Sequence, residues 1–299
     1  MDSRDYICSF TIDGASDLPS DFVLPAWISE PFAGVFLPQS GWFPKTLYPA
    51  RVVLMRPDGL SIVPHPSSRE LPLQIPFDSL HMMECGRVLL LGWIRLRSEK
   101  HDAMLRYSRR TYRPVEKFLA RLRAQWLRNP KAWSGLRHCG APLDSKYSHA
   151  LALEADEGET TGFRFFQPPV EKESRRYLIR FRSWAAGDLL MVTDRRLLWI
   201  TDRHGRIQDP YGTVSRSAPL AMVASVRYRV VSDRPYIQVA LRRSEVWSIP
   251  ISEGQRAEAI RFSEAVAASM ENLKFSPAGN GPVELDYEDI DPIGHPREH

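Results

Sequence analysis

The sequence predicts a mainly β protein, built as two similar antiparallel units that each end in one helix. The first observation is a pair of short apolar runs, Leu189–Val192 and Leu197–Ile200, joined by the polar turn Thr193-Asp194-Arg195-Arg196. The second is the alternation of apolar and polar residues from Val226 to Val230 and from Ile237 to Leu241. Short apolar runs between turn residues, and alternation with a period of two, are both typical of antiparallel strands.

Length and composition limit the number of domains and the classes of protein to which the chain can belong. The chain has 299 residues, of which 43% are hydrophobic and 25% charged, which suits one large or two ordinary globular domains. No apolar run approaches the roughly 20 residues of a membrane helix. The charged start, Met1 to Asp5, does not predict a secretory signal. Three widely spaced cysteines, without disulfide or zinc spacing, predict reduced thiols and a cytoplasmic location.

The first half of the chain is predicted to hold an N-terminal segment and the first unit. Residues 1–50 are an extended segment packed on that unit, because six prolines recur about every six residues. Residues 51–127 form the unit, with strands at Arg51–Met55, Leu60–Val63, Leu71–Ile75, Leu80–Met83, Val88–Leu96 and Ala103–Tyr107. A helix follows, because apolar residues recur at the spacing of one helical face: Val115, Phe118, Leu119, Leu122 and Trp126.

The second half is predicted to hold a connector, the second unit and a tail. Residues 128–160 are a connector with a short helix at Lys146–Ala155, and residues 161–274 are the second unit. Its strands are predicted at Gly162–Phe166, Tyr177–Trp184, Leu189–Thr193, Arg196–Asp202, Ser215–Leu220, Ser225–Val231, Tyr236–Leu241 and Val246–Ile251. Ser252 and Gln255 fit a capping box that would start the closing helix. The acidic residues 275–299 are predicted to be a disordered tail.

The turn Thr193-Asp194-Arg195-Arg196, followed by the strand Leu197–Ile200, resembles the T-x-x-R-hydrophobic signature of bacterial pleckstrin-homology-like (PH-like) and GRAM-like domains. The stretch from Glu157-Gly158-Glu159 to Phe165-Phe166 resembles the opening of the same family. The first unit departs from the pattern, since Arg56-Pro57-Asp58-Gly59 replaces the turn. The resemblance implies tandem PH-like units, each a bent sheet capped by a C-terminal helix. It also implies a binding module for lipid headgroups, peptides or other domains, with no chemistry of its own.

The charge distribution gives the candidate binding surface. Residues 275–299 carry six carboxylates and one arginine, a charge of −5, so the net +4 of the chain leaves +9 on residues 1–274. Thirteen Lys or Arg and three acidic residues lie between Arg95 and Arg137. A clustered set of cations attracts the phosphates of lipids or nucleic acids. We predict an anion-binding face formed by Arg106, Arg109, Arg110, Arg113, Lys117 and Arg121.

These observations predict a non-catalytic binding or scaffold protein that docks on an anionic membrane surface, at its inner face, or on protein partners. Nucleic-acid binding through the same face is the alternative, because Tyr107, Tyr112, Phe118, Trp126 and Trp133 are interleaved with the cations. A plain solvated helix face is the simplest reading. The acidic stretch Glu284–Asp291 is predicted either to contact the basic face or to act as a solubilising tail.

No catalytic residue, metal site or cofactor is predicted. The sequence holds no Walker loop, no G-x-S-x-G and no G-x-G-x-x-G. An enzyme whose site assembles only in three dimensions is the third alternative, and a polar pocket with convergent carboxylates or histidines would favour it.

Overall fold

Seventeen strands and three α-helices make up the part of the chain that the structure describes. The computed structural model describes residues 8–39, 48–88, 90–128, 142–156, 158–176, 179–202, 212–243 and 245–274. The strands form sheets of five, two, seven and three strands, so the predicted mainly β class is confirmed. The chain divides into two compact units, a larger one at Met1–Val223 and a smaller one at Ala224–His299.

The five-stranded sheet of the larger unit has three central strands that are buried on both faces. Its strands, in spatial and chain order, are β1 (Phe10–Ile12), β2 (Ala33–Leu37), β3 (Arg51–Arg56), β4 (Gly59–Pro64) and β5 (Leu73–Pro76). Successive side chains of a strand point to opposite faces. In β3, Val53 and Met55 therefore enter one core, whereas Val52 and Leu54 enter another with Phe22 of the N-terminal segment. The second core explains why that segment is apolar despite its prolines.

The seven-stranded sheet of the larger unit combines strands from both predicted units. The chain continues through β6 (Leu80–Val88), β7 (Leu91–Ser98), β8 (Asp102–Ser108), β9 (Thr161–Gln167), β10 (Val170–Arg176), β11 (Ile179–Ala185), β12 (Asp188–Thr193), β13 (Arg196–Thr201) and β14 (Thr213–Pro219). Strands β10 and β11 pair separately, and the other seven run in the order β8-β7-β6-β14-β13-β12-β9. Cys85 on β6 lies opposite Ser215 on β14.

This arrangement places the division between compact units elsewhere than the sequence does. The sequence separates its two units at the connector, residues 128–160, whereas the structure divides the chain at Val223. The physical reason is the pairing of β6 with β14. Strand β7 occupies one edge of β6, and β14 supplies the backbone partners of the other edge.

Two helices cover the larger unit. Helix α1 (Arg113–Trp126) has Pro114 in its first turn and buries its apolar stripe in the core shared with β2 to β8. Helix α2 (Ser145–Glu154) begins at the N-cap Asp144, whose carboxylate accepts a hydrogen bond of 2.9 Å from Tyr147 N. The Tyr147 ring packs on Phe166 of β9. Both predicted helices are therefore present, close to their predicted bounds.

The smaller unit is a three-stranded sheet with one helix. It contains β15 (Val223–Val231), β16 (Arg234–Leu241), β17 (Val246–Pro250) and α3 (Arg256–Lys274). Inward residues of β16, such as Val239, and of α3, such as Phe262, are buried. The predicted capping box is wrong. A 3-10 turn precedes α3, and Gln255 N donates to the backbone oxygen of Ser252, whose side chain makes no capping bond.

None of the helices in the described ranges combines the length and the apolar character that crossing a bilayer requires. The acidic stretch Glu284–Asp291 and the aromatic Trp133 lie outside the described residues.

Candidate functional site

The outer side of α1 carries a row of cations. Arg113, Lys117 and Arg121 follow one another four residues apart, and all three are exposed. Residues at this spacing are neighbours on a helix surface, with Cβ atoms about 5–6 Å apart. The opposite side of the helix is buried. Arg110, in the 3-10 turn before α1, is also exposed. We call Arg110, Arg113, Lys117 and Arg121 the basic face.

The basic face keeps its charge because the acidic group of α1 points away from it. Glu116 is the sole carboxylate of the helix, and Arg87 of β6 donates to both its oxygens, at 2.8 and 2.9 Å. Arg121 forms an exposed pair of 3.2 Å with Asp13. Among the described residues, no carboxylate pairs with Arg110, Arg113 or Lys117.

The remaining two predicted residues have partners of another kind. The Arg106 guanidinium lies 4.2 Å from the centre of the Tyr48 ring, and that of Arg109 lies 5.8 Å from the Tyr112 ring. Both arginines are half-buried. Cation–π contact leaves the charge in place but holds the side chain over the ring. The structure thus brings four of the six predicted residues together as an exposed row and sets Arg106 and Arg109 beside it.

Other cations of the predicted basic run are neutralised. Arg95 donates to both carboxylate oxygens of Asp102, at 2.7 and 2.6 Å, and this hydrogen bonding lowers the pKa of Asp102. Arg123 faces inward from α1 and is buried. Arg95 and Arg123 therefore add little to the exposed positive charge along the outer side of α1.

The turn that resembles the PH-like signature is a structural element. The Thr193 hydroxyl accepts hydrogen bonds from the backbone N–H groups of Arg195 and Arg196, at 3.1 and 3.0 Å. The fully buried Arg196 donates to both oxygens of Glu159, at 2.8 and 2.7 Å. Asp194 accepts from Thr160 N at 3.1 Å. These contacts fix the β12–β13 hairpin to the segment before β9, and they engage the charged groups of Asp194 and Arg196 internally.

Arg196 belongs to a buried charge cluster that the sequence does not predict as a unit. Its arginines are Arg87, Arg123 and Arg196, and its carboxylates are Glu116, Glu154, Asp156 and Glu159. Glu154 at the end of α2 lies in the middle. It accepts from Arg87 at 2.6 Å, from Arg123 at 3.3 Å and from the Ser215 hydroxyl at 2.7 Å. The Arg196 guanidinium also donates to the Glu154 backbone oxygen.

The cluster holds Glu154 as a fixed negative charge. Burial alone raises the pKa of this carboxyl group, but Arg87, Arg123 and Arg196 outweigh burial and lower it to about 2. Burial likewise opposes ionisation of Glu159, and Arg196 lowers its pKa below the ordinary value. A carboxylate that stays ionised and is surrounded by guanidinium groups does not exchange protons near neutral pH. The cluster is therefore not a candidate acid–base pair, and its contacts join elements of the larger unit.

Burial raises the pKa of the Cys85 thiol far above its ordinary value, which makes this thiol a poor nucleophile. Within the described ranges, no three His, Cys, Asp or Glu side chains are grouped as ligands for a metal ion.

The signal for the buried charge cluster was present in the sequence only in part. Arg196 is recognisable in the sequence because it is the last residue of the turn Thr193-Asp194-Arg195-Arg196. Arg87, Arg123 and Glu154 lie 31 to 67 residues from one another, so no local pattern joins them. Comparison with protein-family models and with curated proteins found no match to this chain.

Proposed function

We propose that this chain is a non-catalytic binding protein that docks on anionic membrane surfaces through the basic face. The observation that carries the proposal is the row Arg113, Lys117 and Arg121, exposed along α1 while Glu116 is held by Arg87 on the other side. Anionic lipid attracts each such cation with about 1 kcal/mol. The resemblance of the β12–β13 hairpin to PH-like and GRAM-like domains supports a binding role of this kind.

The surroundings of the face favour lipid headgroups over nucleic-acid bases. Single-stranded nucleic acids are held by bases that stack on exposed aromatic rings. Of the aromatic residues interleaved with the cations, Tyr107, Phe118 and Trp126 are buried in the core. Tyr112 is 37% exposed and lies near Arg109. Among the described aromatic residues of this set, Tyr112 alone is exposed. A row of cations with one such ring suits a planar anionic surface, where phosphate groups are recognised, better than a series of stacked bases.

The electrostatic attraction also determines how strongly the basic face is expected to bind an anionic membrane. Four cations at about 1 kcal/mol each correspond to a dissociation constant in the millimolar range. Binding through the basic face is therefore expected to be reversible and to weaken as salt rises, since the Debye length falls to about 8 Å at physiological ionic strength.

Co-sedimentation with vesicles tests the proposal. The full chain is mixed with phosphatidylcholine vesicles that contain or lack phosphatidylglycerol, at low and physiological salt. The variant R113E/K117E should lose at least tenfold in binding to the anionic vesicles, because two attractions become repulsions. The matched control R242E/R261E makes the same charge change at two exposed arginines of the smaller unit and should bind nearly as the parent does.

Competing nucleic acids distinguish membrane docking from nucleic-acid binding. Duplex DNA and single-stranded RNA are added to the vesicle mixture. Pelleting that requires anionic lipid and survives both competitors supports membrane docking. Preferential binding to a nucleic acid, lost in R113E/K117E, would replace the proposal by nucleic-acid binding. Equal losses in R113E/K117E and R242E/R261E would show a net-charge effect and remove the basic face from the argument.

A further inference from the structure

The hairpin β15–β16 of the smaller unit has an exposed tip. Its two turn residues, Ser232 and Asp233, have φ angles of 48° and 60°, as a tight two-residue hairpin turn requires. Along β15, side-chain burial ends before the turn: Val226 is buried, whereas every residue from Arg229 to Arg234 is exposed. The packed part of the smaller unit therefore stops short of the tip.

Two large apolar side chains lie at this tip. Val230 is 49% exposed and Val231 is 41% exposed. Because successive residues of a strand point to opposite faces, both faces of the strand end are uncovered. Single exposed apolar residues are normal on protein surfaces. Among the described residues, these two valines are the only exposed large apolar side chains adjacent in the chain.

Cations surround the valines. Arg227, Arg229 and Arg234 are exposed, and Asp233 is the one carboxylate of residues 227–234, so this segment has a net charge of +2. No ion pair joins the three arginines to a carboxylate of the described ranges. Burial of the valines against a purely apolar protein surface would also bury these arginines without partners, at a high energetic cost.

We propose that the tip of the β15–β16 hairpin inserts Val230 and Val231 into the interface of an anionic bilayer. A strand rises about 3.3 Å per residue, so Arg229 and Arg227 lie roughly 3 to 13 Å behind the valines. The polar layer of one leaflet is about 5–8 Å deep. When the valines reach the acyl boundary, Arg229 and Arg234 therefore lie among the lipid phosphates. For comparison, the apolar faces of helices that lie on a membrane surface are buried about 5–10 Å into the interface.

This inference rests on the proposed function for the anionic membrane surface. The membrane contact that it adds is a separate one, on the smaller unit. Electrostatic attraction through α1 alone is weak, and lipid-anchored proteins likewise need a second signal beside one acyl chain for stable anchoring. A basic face that attracts and an apolar tip that inserts are two such signals. Each can fail without the other, because each depends on its own residues.

A fluorescent label at the tip tests the insertion directly. Cys8 and Cys139 are replaced by serine, Cys85 stays buried, and V231C is labelled with the polarity-sensitive dye NBD in the otherwise full-length chain. Phosphatidylglycerol-containing vesicles should shift the emission to the blue and raise its intensity. The same label at R242C, at the opposite end of β16, should not respond. No response at position 231 overturns the inference, whatever the pelleting assay gives.

A second pair of variants tests the role of the side chains. V230T/V231T keeps the β-branched shape but replaces one methyl group of each side chain with a hydroxyl group, and should weaken binding to anionic vesicles by roughly tenfold. The control V23T alters a more exposed valine of the larger unit and should bind as the parent does. Undiminished binding by V230T/V231T contradicts insertion, whereas loss of pelleting only in R113E/K117E would sustain the basic face alone.

The emission of the labelled protein without vesicles shows whether another protein segment covers the tip. A blue-shifted emission that grows with protein concentration means that a second copy covers the valines. An emission that moves to the red when residues 275–299 are removed means that the tail covers them. Either result overturns the inference.

Discussion

Arg87 on β6 donates to the carboxylate of Glu154 across 2.6 Å, although 67 residues separate the two in the chain. Both side chains are almost fully buried. Because Glu154 also accepts from Arg123 of α1 and from Ser215 of β14, one carboxylate connects two strands and two helices of the larger unit. A buried carboxylate with this many partners is more important to the arrangement of elements than its place at the end of a short helix indicates.

Replacing Glu154 with glutamine should destabilise the larger unit strongly. The amide keeps the shape but removes the carboxylate charge that lies among three buried guanidinium groups, and breaking a buried ion pair costs about 3–5 kcal/mol of unfolding free energy. Urea denaturation followed by circular dichroism measures the change. The control E253Q removes a carboxylate from an exposed pair with Arg256 and should leave the midpoint unchanged. Similar midpoints for the two variants would mean that the cluster contributes little.

Stability should depend on pH through the same carboxylate. The pKa of Glu154 is about 2 in the folded protein and 4.5 ordinarily, so the unfolded chain takes up the proton first as the pH falls. The stabilisation is complete above about pH 4.5 and is lost progressively towards about pH 2, with a total on the order of 3 kcal/mol. Urea titrations of the parent and of E154Q at several pH values measure it. E154Q should lack this component, and equal pH dependence in both proteins would refute the assignment.

The hydroxyl of Thr193 should matter more than its methyl group. T193V leaves the backbone N–H groups of Arg195 and Arg196 without their acceptor and removes a hydrogen bond of 2.7 Å to Glu159. Losing the partner of a buried polar group costs about 1–3 kcal/mol. T193S retains the hydroxyl and should lose about 1 kcal/mol or less through the missing methyl. Thermal unfolding compares the two, and a serine variant as unstable as the valine variant would point to packing instead.

Freeing Arg121 should strengthen binding to anionic vesicles. Asp13 pairs with Arg121 at 3.2 Å on the exposed side of α1, and so offsets one cation of the basic face. D13N removes that offset and should raise the affinity several-fold at low salt, since each available cation contributes about 1 kcal/mol. D58N makes the same change at the exposed pair with Arg56 and is the matched control. A gain in both variants would again indicate net charge rather than the basic face.

Local features of the fold were predictable because their causes are local. The hairpin of β12 and β13 pairs Leu189 with Ile200 and Val192 with Leu197, as expected from two apolar runs around a polar turn. Helix α1 and its inward residues followed from apolar spacing alone. The pairing of β6 with β14 was not predictable in this way. Both strands are nearly buried throughout, and nothing in their own sequences identifies the partner at an edge.

The candidate site, too, has a part that local sequence predicts and a part that it does not. The exposed cations at positions 113, 117 and 121 were predicted because a helical period separates an outer from an inner side. Arg123 belongs to the same run of cations, yet its guanidinium donates to the carboxylates of Glu154 and Asp156, 31 and 33 residues away. A single sequence does not show whether an arginine faces water or a distant carboxylate. That choice depends on tertiary partners.

The junction of β6 with β14 has a consequence for how the chain is made. Cys85 and Ser215 face each other at this junction and are 130 residues apart. At a synthesis rate of about 5–20 residues per second, β6 leaves the ribosome on the order of ten seconds before its neighbour. During that interval the open edge of an inner strand is a template for wrong pairing. The β6–β14 pairing in the middle of the seven-stranded sheet is thus completed last during translation. A chain interrupted before Thr213 would leave this edge of β6 permanently unpaired.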